Sequence, residues 1–159
     1  MTNAEFPDAG QHVRQTRYVM DVDLQWDRLL ALTHGLAPAG SASLQLILPV
    51  LSETVQPNWV LLERTGLSPA AVADIACGLD RELTALATWS QAQIARAIAS
   101  TSASFGVAAD TVSAVAGVFV VGEVTRLPLA GLCELMGRDR VLQRLRAAAR
   151  AYASMQMVG

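Results

Sequence analysis

Four arginines near the end of the chain have a type and spacing that could do chemistry: Arg140, Arg144, Arg146 and Arg150. A guanidinium is a planar, permanently charged fork whose N–H groups match the oxygens of a phosphate. Helical spacing puts Val141, Leu142, Leu145, Ala148, Ala149, Tyr152 and Met155 on one stripe of a helix from Arg138 to about Met155. The four arginines then fall on the opposite, outer face, where a row of positive charge can follow a phosphate backbone. A solvated face without a ligand is the plainer alternative for the same spacing.

The other reactive residue types form no constellation. His12 and His34 have no neighbouring ligand types, and Cys77 and Cys133 show neither CxxC nor Cys/His spacing. Both cysteines read as buried free thiols of a reducing compartment. Asp74, Asp80, Arg81 and Glu82 lie mostly off an apolar stripe and read as a solvated face. There is no Rossmann or P-loop glycine pattern. No catalytic, cofactor-binding or metal-binding residue is assigned and no cofactor is expected. A small-ligand pocket or an enzyme, built on a carboxylate brought in by folding, stays open as an alternative.

Charge narrows the partners. Twelve arginines and no lysine stand against fourteen acidic residues, a net charge of −2. That supplies no global field for nucleic acid, so any RNA contact must come from a local arginine patch. Gln91–Arg96 is similar in type to the first helix of a helix-turn-helix. Its helix runs on to Gly106, however, and Ala108–Val121 is too apolar to lie in a groove, so DNA is not an expected partner. The first residues lack an apolar signal core. The uncharged runs at 29–52 and 111–122 are broken or too short for a bilayer. A cytoplasmic chain without a membrane partner is the expectation.

The elements that must position these residues are helical. The chain is 52% hydrophobic but only 5% aromatic, and its abundant Ala and Leu favour close-packed helices. Residues 1–16 read as a flexible arm. Residues 17–159 read as a single helical domain, with lobes at 17–88 and 89–159 as a variant. Tyr18–Val22 is a short strand candidate. Asp23 can cap a helix carrying Leu24, Trp26, Leu29, Leu30 and Leu32, with His34 in its last turn and Gly35 at its end. After the connector at 35–41, a second helix carries Leu44 to Leu51 with a kink at Pro49. Asn58 caps a short helix closed by Gly66.

Ser68-Pro69 is the clearest helix start, and the helix runs to about Thr88 with Val72, Ile75, Ala76, Leu79, Leu83 and Leu86 inward. Gly78 within it marks a close helix crossing. Ser90 caps the next helix, which ends at Gly106. Asp110 caps Thr111–Val121, where Val118–Val121 is helix with strand as the alternative. Pro128 opens a short helix that Gly137 closes before the last one begins.

The order from Trp89 onward resembles the end of the anticodon-binding region of bacterial glutamyl-tRNA synthetases. There a tryptophan precedes a helix, a segment reads roughly R-V-A-L-T-G, and S-P-G-L-F-E-V-L-x-L-L-G-K-E-R-V-L-x-R-L-R-A-A-L follows. Val118–Gly122 stands in the V-A-L-T-G place and Leu127-Pro128-Leu129 in the S-P place. Leu132 to Ala148 looks like the remainder, so the likeness spans about residues 89–150. Gly117 replaces the arginine of the pattern, and Glu123–Arg126 is an insertion. Nothing corresponds to the HIGH or KMSKS signatures of a catalytic half.

The resemblance implies an all-α array of about seven or eight helices like a class I synthetase anticodon-binding domain. It implies a stand-alone, non-catalytic module with tRNA as partner, touched by Arg140, Arg144, Arg146 and Arg150. A protein-interaction or self-association module on the same fold is the alternative, suggested by a mean hydropathy of +0.34. Its partner would be another protein or a second copy.

Overall fold

Every residue with a described placement in the computed structural model that belongs to a multi-residue element falls in a helix; strands are absent among the described residues. Those residues are Ala31, 55–125 and 127–158. The expected arm, the strand candidate at Tyr18–Val22, the helix after Asp23 apart from Ala31, and the helix around Pro49 lie outside them. The elements are α1 (Val60–Glu63), α2 (Pro69–Thr84), α3 (Gln91–Phe105), α4 (Ala109–Val120), α5 (Leu129–Met136) and α6 (Arg138–Val158). The all-α class is as the sequence reads.

Two helix starts use the expected serines. Ser68 Oγ accepts from Ala71 N at 3.2 Å, with Pro69 in the first turn. Ser90 Oγ accepts from Gln93 N at 3.3 Å. Each satisfies an N–H that the first turn leaves without an intrahelical partner. Gly106 closes α3 at φ +63°, a conformation in which a Cβ is strained. From there α4 turns away at a bend of 115°. Val118 to Val120 complete α4, so this run is helix, as expected.

Several boundaries differ. Trp59 rather than Asn58 stands at the N-cap of α1, without a side-chain bond. The Asn58 backbone N–H instead donates to Gly122 O at 2.8 Å, tying the entering chain to the end of α4. Asp110 lies in the first turn of α4, after an Ala108 cap. There its charge suits the helix dipole without the capping bond. α2 stops at Thr84 and not near Thr88, because Arg138 claims the exposed carbonyls. Its Nη2 donates to Leu83 O (3.4 Å), Thr84 O (3.1 Å) and Leu86 O.

The core sits around α4, whose Val112, Val115, Val118, Phe119 and Val120 are all buried. α3 and α6 pack on it, α2 packs against α3 and α6, and α5 bridges α3 and α6. Phe119 meets Trp59 edge-on at 5.6 Å and Tyr152 at 5.9 Å, and Trp59 lies 5.3 Å from Tyr152. Three separated segments are thus joined by one aromatic cluster, each ring pair adding about 0.5–1.5 kcal/mol beyond its buried area. Gly78 makes the close crossing expected of it: a Cβ there would lie 2.6 Å from Phe105 Cε2. Met155, assigned to the inward stripe, is instead exposed, and Tyr152 is the last buried residue of an α6 that continues to Val158.

Candidate nucleic-acid interface on the last helix

The four arginines of α6 do not share one outer face. Arg144 is buried, with 8% of its surface exposed, and its Nη1 donates to Val120 O at 3.1 Å. A cation thus meets the carbonyl end of α4, where the helix dipole favours positive charge. Burial lowers the Arg144 pKa from its ordinary value, and the neighbouring Arg140 charge lowers it further. Arg144 is therefore turned inward, correcting the outward placement read from its spacing.

Arg140 is exposed, and with Gln143 and Arg144 it lines a cleft of about 530 Å³ between α6 and α4. Val55, Pro57, Phe119, Ala147 and Ala148 supply much of its apolar wall. Arg146 and Arg150 turn to the opposite flank, where a cleft of about 260 Å³ opens between α6 and α2. Ala73, Ala76, Cys77 and Asp80 form its α2 side.

Within this second cleft Arg146 is anchored. Its Nε donates to Asp80 Oδ1 at 2.8 Å and its Nη2 to Thr84 Oγ1 at 3.0 Å. Its side chain is still 46% exposed. Arg150 follows one helical turn later, exposed beside the same cleft. The site therefore has two poles, Arg140 on the α4 flank and the Arg146–Arg150 pair on the α2 flank.

Asp80 is a residue that sequence reasoning left on a solvated face. Its signal was only its place among the acids of α2, because its partner lies 66 positions away. The cysteines also divide: Cys133 is buried, but Cys77 is exposed, which corrects the reading of both as core thiols. Cys77 lies open to solvent on the α2 wall of the α2–α6 cleft. Burial pushes the Cys133 thiol pKa up to about 12, so it stays protonated and unreactive near neutral pH. Among the described residues no group of three or more His, Cys, Asp or Glu side chains could hold a metal ion. No single described helix is long and apolar enough to cross a membrane.

No curated protein matches the chain. The model of one family, the anticodon binding domain, matches residues 60–149, from the start of α1 to the arginine-bearing turns of α6. That span runs from α1 through the first half of α6 and covers more than half of the sequence, and the chain belongs to the anticodon-binding domain family.

Proposed function

We propose that this chain is a non-catalytic RNA-binding module that engages tRNA through the exposed arginines of α6. The observation that carries this reading is the family match over residues 60–149. The likeness of Leu132–Ala148 to the same stretch of bacterial glutamyl-tRNA synthetases favours a domain of the glutamyl type. Arg140, Arg146 and Arg150 keep their charged ends at the surface, where a guanidinium can meet phosphate. With a net charge of −2 the protein as a whole does not attract RNA, so this patch has to supply the affinity.

The test is filter binding of total tRNA to the full chain from about 50 to 200 mM salt, where each phosphate contact adds nearly one unit to the log–log slope. Retention at low salt, with a slope reduced in the Arg140→Ala/Arg150→Ala double variant, is the expected result. A folded protein that retains no tRNA at the lowest salt overturns the proposal.

A further inference from the structure

The ion pair between Arg146 and Asp80 joins two helices at an exposed site, where such pairs add little stability. Its geometry suits another purpose. A guanidinium has five N–H donors. The Nε–H and one Nη2–H of Arg146 are spent on Asp80 and Thr84. The remaining three make no hydrogen bond among the described residues, and two of them lie along the Nη1–Nη2 edge, a bidentate edge that matches a pair of phosphate oxygens. Asp80 and Thr84 thus fix the plane of the fork while leaving that edge open. A flexible arginine would lose its rotamer freedom on binding, whereas one already held loses less.

Arg150 stands one turn along α6, a spacing that brings side chains to within about 5–6 Å at Cβ. Both arginines line the same α2–α6 cleft. Small residues on its walls, Ala73, Ala76 and Ala149, leave the backbone of a ligand room to approach. The other exposed pole lacks this construction, since no ion pair or side-chain hydrogen bond orients Arg140 among the described residues.

Resting on the tRNA-binding reading, we infer that the α2–α6 cleft is the site that grips an RNA phosphodiester, with Arg146 and Arg150 as contacts and Asp80 and Thr84 as positioning residues. Asp80 carries a negative charge into a phosphate site, and this gives the inference a sharp test. If charge alone mattered, removing it would strengthen binding. If Asp80 works by orienting Arg146, removing it weakens binding despite the favourable change in charge.

The experiment compares tRNA affinity at fixed low salt for the full chain, Asp80→Asn, Arg146→Lys and the charge control Asp139→Asn, which lies on α6 outside the cleft. Asp80→Asn is expected to bind roughly three- to tenfold more weakly, the worth of one orienting hydrogen bond. Asp139→Asn is expected to bind as well as the parent or slightly better. Arg146→Lys, which keeps the charge but loses the fork, is expected to fall as Asp80→Asn does. Thermal melts confirm that each variant is folded, and should Asp80→Asn not fold, Arg146→Lys decides alone. A parent that binds tRNA with Asp80→Asn equal or tighter, or with Arg146→Lys unchanged, overturns this inference and leaves the function standing. A parent that binds no tRNA overturns both.

Discussion

The guanidinium of Arg138 lies 5.9 Å from the ring centroid of Trp89, and the two residues together lock three helix ends. The Trp89 indole donates to Cys133 O at 2.9 Å, holding the end of α5. Arg138, at the start of α6, donates to the carbonyls that finish α2. Trp89 and the Gly137-Arg138 turn are both elements of the synthetase-like pattern. Their contact gives that pattern an architectural reason: it closes the junction from which α6 projects its arginines.

Removing the guanidinium should therefore cost stability even though Arg138 is half exposed. Arg138→Ala leaves the α2 carbonyls to water and gives up the cation–π contact, a loss of about 1–3 kcal/mol. Arg140→Ala, two residues on and exposed, should stay within about 0.5 kcal/mol of the parent. Urea unfolding of both variants measures the difference, and equal midpoints would contradict the clamp.

Much of the fold was legible because it is written in local rules. Ser68, Ser90, Gly106 and Gly137 act through their own backbone within a turn, and the structure uses all four as helix boundaries. What was not legible depends on contacts distant in sequence. Arg138 shortens α2 from 52 to 55 residues away. Arg144 and Arg146 were grouped on one face, yet at 100° per residue Arg144 lies about 40° from Ala148 and Arg146 about 40° from Leu142. They border opposite edges of the apolar stripe. That spacing announces two flanks, but which flank is covered depends on α4 and α2, whose positions no pattern within α6 encodes.

Gly117 shows how two departures from the synthetase pattern that the sequence resembles become one. A Cβ at Gly117 would lie 2.9 Å from Glu123 O, so the backbone at Glu123–Thr125 folds back over the position where the pattern has an arginine. Alanine is normally favoured over glycine inside a helix by about 1 kcal/mol. Here Gly117→Ala should reverse that sign and destabilise by about 1–3 kcal/mol, the usual cost of overpacking. A thermal melt that rises with Gly117→Ala would refute the account.

The two thiols should behave as different species. In native protein at pH 8 a chromogenic disulfide is expected to titrate Cys77 promptly and Cys133 only after denaturant is added. The unfolded Cys133 thiol ionises near its ordinary value of 9.0, whereas the folded one holds its proton to about 12. Stability is thus fully present below pH 9 and declines above it, by at most about 1.4 kcal/mol per pH unit from this group. Tyr152 adds to the decline at higher pH, its pKa raised by burial and by Glu63. Cys133→Ala should melt lower at pH 7 but lose less stability between pH 9 and 10.5. A parallel decline in both proteins would remove Cys133 as the cause.

Arg144 and Arg150 offer the clearest separation of architecture from binding, because they lie on one helix and carry the same charge. Arg144→Met keeps the length of the side chain but takes its donor from Val120 O, a buried carbonyl. The expected cost is about 1–3 kcal/mol of stability, with tRNA affinity per folded molecule nearly unchanged. Arg150 is exposed at the mouth of its cleft, and Arg150→Ala should leave the melting curve within about 0.5 kcal/mol of the parent. Its effect should appear in the salt dependence of tRNA binding, whose log–log slope drops by about one. Chemical denaturation paired with salt-dependent filter binding reads both quantities on each variant. If Arg144→Met lowered the slope as Arg150→Ala does, the buried guanidinium would be reaching RNA, and the two-flank description of α6 would be wrong.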